Sequence, residues 1–312
     1  MDHSGEVYIN PLTDFGFKRI FGTTMNKDLL ISFLNALFDG EEVIKDVSYR
    51  NAEKFGASET ERKAIFDVYC QTADGSRIIV EMQNVYQEFY KDRSIYYSTF
   101  PIAEQAKKGK WDYKLNKVYT VGILNFAFPE GRKGNGDITS EVKLMNVKTK
   151  EVFYDKLTYY YIELVNFKKN LNELDTLFDK WLYALRNMTN LLNRPAKLQE
   201  RIFTRLFDAA QIAKLTTEEL REYETSVNAY RDIENAVNTA KKVGEKIGMK
   251  KGFEKGKAQG IAEGKAQGIA EGKAQGARDN GLAIARKLKA KGMPTDEIAN
   301  ITGLSVEEIA DL

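Results

Sequence analysis

The chain is predicted to be an α/β protein: a mixed sheet flanked by helices, followed by an all-helical region and a glycine-periodic tail. Three observations predict this. The hydrophobic period runs helix, three strands, helix, strand over the first half. It becomes helical throughout after residue 170. From Gly244 to Gly276 a glycine recurs at every fourth position.

Thr13, followed by Asp14-Phe15-Gly16-Phe17-Lys18, opens the first element as an N-cap candidate. Leu29, Leu30, Phe33, Leu34 and Leu37 then recur at helical spacing over residues 28–38, an amphipathic helix. Residues 43–49, 64–71 and 77–83 are rich in β-branched and aromatic side chains and read as a strand followed by a hairpin. The helical period returns over residues 87–108. Residues 117–128 form a mostly apolar strand interrupted by Gly122, and two further strands are expected at 138–147 and 159–167. Beyond residue 170, Trp181, Leu182, Leu185, Ile202, Phe203, Leu206, Phe207 and Ile212 supply the apolar faces of a helical packing layer. The organisation expected is a domain at 1–170, a helical region at 171–243, the glycine-periodic segment at 244–281 and a small C-terminal element at 282–312.

Within the periodic segment Gly-Lys-Ala-Gln-Gly-Ile-Ala-Glu repeats. Each glycine costs a helix roughly 1 kcal/mol relative to alanine, yet a four-residue period keeps the glycines on one stripe where two backbones can approach. A self-associating stalk and a flexible tether both satisfy this pattern. In the last segment Ala299, Gly303 and Ile309 match helix-turn-helix spacing, but Glu307, Glu308 and Asp311 on the second helix repel phosphates. A protein-contact or capping role fits that element better than DNA reading.

Composition narrows the chemistry. The 312 residues are 43% hydrophobic, without the roughly 20-residue apolar run of a membrane span. The polar N-terminus lacks a signal-peptide pattern, which predicts a cytoplasmic location. A single cysteine, Cys70, excludes an internal disulfide, and a single histidine, His3, excludes His-based zinc sites and Ser-His-Asp triads. Forty-seven basic against 45 acidic residues leave a net charge of +2, so any nucleic-acid site is a local patch. Lys107, Lys108 and Lys110 form one short basic run, which reads better as a solvated helix end.

The hairpin around Asp74-Gly75 carries the most information. A three-residue loop, Ala73-Asp74-Gly75 with left-handed glycine, pairs Thr72 with Ser76 and sets Asp67 opposite Glu81. A two-residue turn would put them on opposite faces. In the first register Phe66, Val68, Cys70, Ile78, Val80 and Met82 make one apolar face, while Asp67, Tyr69, Gln71, Glu81 and Gln83 gather on the other. Adjacent carboxylates repel and attract a cation, and oxygen ligands suit Mg²⁺, Mn²⁺ or Ca²⁺. The competing reading is a solvated polar strand face.

The ordered series Thr13-Asp14-Phe15-Gly16-Phe17-Lys18-Arg19-Ile20-Phe21-Gly22, Phe66-Asp67-Val68, Val80-Glu81-Met82-Gln83, Arg93-Ser94-Ile95-Tyr96-Tyr97 and Lys108-Gly109, ahead of a strand at 119–126, resembles the PD-(D/E)XK nuclease family transposases, also described as recombination-promoting nuclease (Rpn) proteins. The glycine-periodic tail and its Thr-Gly-Leu-Ser ending are loosely similar too. The resemblance implies a restriction-endonuclease-like fold and divalent-metal-dependent DNA hydrolysis linked to recombination or mobile elements. It makes Asp67 and Glu81 metal ligands and Asp14 a candidate third, with helix capping as Asp14's alternative.

The departure is Gln83, where the superfamily pattern has lysine; glutamine orients only through hydrogen bonds. Arg93 and Tyr97 share a helix face and could supply the missing charge, with Lys18 a second candidate. Tyr69, Tyr86, Phe89 and Tyr90 are aromatic candidates for base stacking or, more simply, packing. Two functions follow: a metal-dependent endonuclease acting on DNA, with a homo-oligomer through the tail compatible with it, or a catalytically degenerate nuclease fold that binds nucleic acid or protein.

Overall fold

The computed structural model describes residues 6–54, 64–106, 109, 111–129 and 137–312. Lys107, Lys108 and Lys110 lie outside them. The described chain divides into two units, Met1–Val237 and Asn238–Leu312.

In the first unit the strands are β1 (Val47–Tyr49), β2 (Glu53–Lys54), β3 (Ala64–Ile65), β4 (Val68–Thr72), β5 (Arg77–Gln83), β6 (Val118–Leu124), β7 (Thr139–Met145) and β8 (Val152–Glu163). Six of them form one sheet in the order β1-β4-β5-β6-β8-β7, and β2 pairs with β3 separately. The centre, β5-β6-β8, is parallel and the outer pairs are antiparallel, so the sheet is mixed. Burial follows connection: β6, Val-Tyr-Thr-Val-Gly-Ile-Leu, is buried at every residue, as a central parallel strand must be.

Helices α1 (Asp14–Phe21), α2 (Lys27–Phe38), α4 (Leu177–Asn187), α5 (Arg201–Ala209) and the start of α6 (Thr217–Ala290) build the main core against one sheet face. Phe21, Phe33 and Phe203 surround the fully buried Trp181 at ring-centroid distances of 5.8, 5.9 and 5.2 Å. The helices from α4 to the start of α6 therefore share the sheet's core, as a packing layer. The amphipathic stripes of α4 and α5 need the sheet to bury them.

The other face is covered by α3 (Tyr90–Ala103), whose buried positions Tyr90, Ser94, Ser98 and Pro101 follow the helical period. Ser94 and Ser98 hydroxyls meet the Tyr161 and Tyr159 hydroxyls of β8 at 2.7 Å each. Small polar residues thus do the packing that a purely apolar stripe would signal. The strand expected at 159–167 begins earlier, at Val152, and ends in a 3-10 turn at Leu164–Asn166. Its first half pairs with β7 but is largely exposed, so Asp155 and Lys156 break the apolar pattern without breaking the strand.

In the second unit the glycine-periodic segment is α-helical throughout. Its repeat supplies i,i+4 bonds, with Gln259, Gln267 and Gln275 donating to Glu263, Glu271 and Asp279. The C-terminal α7 (Thr295–Thr302) and α8 (Val306–Ala310) are joined through left-handed Gly303, and Ile298, Leu304 and Ile309 pack with Ala285. Glu308 of α8 pairs with Arg278.

Gly16 is a position where only glycine fits: a Cβ there would lie 2.0 Å from the Asn10 carbonyl oxygen, which is backbone and cannot rotate away. Gly16→Ala is expected to lose about 1–3 kcal/mol of stability, read as a lowered urea midpoint at unchanged slope; an unchanged midpoint would show that the 10–16 turn relaxes freely.

Candidate active site

The site begins with the β4–β5 hairpin. Gly75 has φ +91°, the Thr72 N–H donates to the Ser76 carbonyl at 3.0 Å, and Asp74 accepts from the Thr72 and Ser76 hydroxyls. The pairs Val68↔Val80, Tyr69↔Ile79, Cys70↔Ile78 and Gln71↔Arg77 follow from that three-residue loop. Continued by one residue, this register sets Asp67 against Glu81.

At that point two reciprocal hydrogen bonds replace ladder pairing. The Asp67 N–H donates to Glu81 Oε1 at 3.2 Å, and the Met82 N–H donates to Asp67 Oδ2 at 2.7 Å. One oxygen of each carboxylate is thereby held; Asp67 Oδ1 and Glu81 Oε2 make no hydrogen bond among the described residues. Glu81 is only 7% exposed. Burial, and next the charge of Asp67, push the Glu81 carboxyl up to about 8. Asp67 is raised as well, chiefly by burial, against the pull of the Met82 N–H.

Glu81 and Gln83 look toward α3. Arg93 donates through one guanidinium nitrogen to Gln83 Oε1 and through the other to Gln87 Oε1 at 2.8 Å, while Gln83 Nε2 donates to the Val85 carbonyl. The Arg93 charge lowers both carboxyls, as does that of Lys18. The structure therefore brings Asp67, Glu81, Gln83 and Arg93 together. Lys18 stands nearby on α1 but is ion-paired with Asp14 at 2.8 Å.

Two expectations are corrected. Thr13, not Asp14, caps α1, accepting from the Gly16 N–H; Asp14 sits in the first turn with an exposed side chain bound to Lys18. Asp14 lines the same cavity as Asp67 and its charge helps raise the Asp67 carboxyl, although among the described residues no three Asp, Glu, His or Cys side chains are already gathered as a metal cage. Phe66 does not continue the apolar face of Val68 and Cys70. The chain leaves regular strand geometry at Phe66-Asp67, and Phe66 packs with Tyr69, Ile79, Tyr97 and Phe100 instead. Tyr97 accordingly meets Phe66 edge-to-face at 5.2 Å, with the Arg93 guanidinium 5.7 Å from its ring. It is a wall beside Arg93. Tyr69 and Tyr90 are buried, whereas Tyr86 and Phe89 are exposed.

Sequence reasoning named Tyr90 only as a stacking or packing aromatic and missed Asn84. Glu81 pairs with Gly122 of β6, and a Cβ on Gly122 would lie 2.5 Å from the Tyr90 hydroxyl, so the glycine makes room for that hydroxyl beside Glu81. Burial, then the Glu81 charge, push the Tyr90 hydroxyl up. A lone glycine inside a strand was the available signal. Asn84 donates to the Leu12 carbonyl at 2.6 Å, fixing β5 to the chain before α1.

The family model for PD-(D/E)XK nuclease family transposases matches residues 11–240. The chain belongs to that family. The match contains the whole carboxylate site and both flanking helical layers, and the mixed sheet with its helices is the restriction-endonuclease-like α/β fold of the PD-(D/E)XK nucleases. With PD-(D/E)XK membership comes a nuclease- or transposase-related function. No curated protein and no solved structure matches the chain.

Because Glu81 holds its proton more tightly folded than unfolded, its contribution to stability is complete below the unfolded value of 4.5 and lost as pH rises through about 8. In EDTA, Glu81→Gln should match the parent near pH 4 and exceed it in stability increasingly from pH 5 to 9, followed by urea denaturation. A pH-independent difference would show that Glu81 is not the buried titrating group.

Proposed function

We propose that the protein is a divalent-metal-dependent DNA endonuclease that hydrolyses phosphodiester bonds, acting in the cytoplasm in recombination or mobile-element processes. The observation that carries this reading is the buried Asp67–Glu81 pair, cross-linked by two backbone N–H bonds and faced by Arg93.

The donor set fits a hard cation. Two buried carboxyls, each with one unused oxygen and each raised by burial, lose a proton unwillingly until a positive charge arrives. Asp67 and Glu81 would hold Mg²⁺, Mn²⁺ or Ca²⁺. Such an ion, when bound, polarises a phosphate and lowers the pKa of its water.

The remaining work belongs to the chain. Arg93 is held by Gln83 and Gln87 and keeps its charge at any pH of interest, so it can counter the charge that builds on a phosphate. Gln83 takes the lysine's place in sequence but serves as a tether for Arg93. Lys18, freed from exposed Asp14, is a second cation within reach of the backbone. Tyr90 and Ile79 keep the α3 side of the carboxylates dry.

The absence of lysine at 83 supports a second reading, a degenerate nuclease fold that binds nucleic acid or protein without cutting. Self-association through the tail belongs to either reading; the exposed Ile247, Phe253, Ile261 and Ile269 beside the glycine stripe support it. No helix among the described residues is long and apolar enough to cross a membrane.

Supercoiled-plasmid cleavage separates the two. With Mg²⁺ or Mn²⁺ the parent should nick DNA, while EDTA, Asp67→Ala and Glu81→Ala should abolish it; DNA binding with no cutting by the parent would favour the degenerate reading. Arg93→Ala should slow cleavage by roughly 10²–10³-fold and Arg93→Lys by less; equal rates in both variants would remove Arg93 from the chemistry. Titration of Mn²⁺ near pH 7 in buffers of different ionisation heat should report about one proton released per ion, and none in Glu81→Gln. No release from the parent would sink the Glu81 ligand assignment.

A further inference from the structure

Asp67 has a second neighbourhood. Besides facing Glu81 it lines a cavity of about 920 Å³ whose other walls are α1, Asn84 of the β5 end and the first turns of α6. That volume is within the range of small-molecule sites and holds a nucleotide's base with room to spare.

The charge balance of the walls says which part of a nucleic acid could enter. Asp14, Asp67, Glu219 and Glu222 face two cations, Lys18 and Arg19, and both of these are already ion-paired, with Asp14 and Glu219. A phosphate inside the cavity would meet four carboxyls against two cations that are already engaged in ion pairs. A neutral ring would find Phe15, Ala229, Tyr230 and Ile233 for its faces. Its edge would find acceptors, since carboxylates only accept when ionised.

We propose that this cavity receives an unstacked nucleobase from the nucleotide flanking the scissile phosphate, and that amino-bearing bases, cytosine, adenine or guanine, enter in preference to thymine. The inference rests on the endonuclease reading. Because Asp67 borders both spaces, a base lodged between α1 and α6 draws its own phosphate toward the carboxylate pair. The chain's later residues, Tyr230 above all, would thereby select where the earlier ones cut.

The test starts from a duplex cut by the parent protein, with the cut mapped. The flanking base is then freed by placing an abasic nucleotide opposite it, and affinities are measured with Glu81→Gln in Mg²⁺ by fluorescence anisotropy. Removing the cost of unpairing should tighten binding at least ~5-fold over the fully paired duplex, with freed cytosine, adenine or guanine ahead of thymine. Adding Tyr230→Ala should erase that gain, so that freed and fully paired duplexes bind alike; Tyr230→Phe, which keeps the ring, should retain it and also controls for folding. No tightening on freeing the base, or tightening indifferent to Tyr230→Ala, overturns the proposal. If the parent cuts and this gain is absent, only the base pocket fails. If the parent cuts nothing, the endonuclease reading fails first and takes the pocket's role with it.

Discussion

Two carboxylates held against each other below the surface of a sheet are an unstable arrangement, and most of the first unit serves to maintain it. Left alone, Asp67 and Glu81 would separate or remain protonated, because a buried charge beside a like charge costs more than a hairpin can offset. They stay together because the register of β4 and β5 is set elsewhere: at Gly75 by the turn, and along Val68, Cys70, Ile78 and Val80 by burial in the main core. A slip of one residue would expose that whole apolar row. The core thus fixes the site through register, and the site contributes only two N–H bonds in return.

The surroundings of the pair follow from the same constraint. On the α3 side Gly122 gives up its side chain so that the Tyr90 hydroxyl fits beside Glu81, and Ser94 and Ser98 bring the helix close enough for Arg93 to reach Gln83. On the α1 side, Asn84 anchors the end of β5 to Leu12, while Tyr223 and Ser226 of α6 accept from the Asn10 and Phe15 N–H groups. Segments more than 200 residues apart in sequence therefore meet beside the cavity that Asp67 lines.

This arrangement explains what could be read from sequence and what could not. Register, turn and carboxylate placement were legible because each is a local consequence of period-two patterning and one glycine. Phe66 was misread because alternation presumes a regular strand, and the backbone departs from one as it enters the site. The early half of β8 was missed because Asp155 and Lys156 interrupt the apolar run that Val152-Phe153-Tyr154 opens. The α6 wall was beyond reach for another reason: Thr225 and Tyr230 lie on a helix whose pattern says only that one face is buried, and nothing local says against what. Asp14 looked like a helix cap by position, but Thr13 takes that role and Asp14 pairs with Lys18 one turn away.

The exchange of lysine for glutamine at 83 can be weighed in the same terms. A lysine on β5 would bring its cation on the strand that carries Glu81, on a flexible stem whose ammonium loses charge when buried. Here the cation comes from α3 as a guanidinium, planar, always protonated, and fixed at two points by Gln83 and Gln87 with aromatic rings at 5.0 and 5.7 Å. The charge beside the carboxylates is kept, and its position now depends on how α3 docks on the sheet. On the proposed endonuclease reading Gln83 supports Arg93, and the serine–tyrosine contacts that seat α3 set where that charge lies.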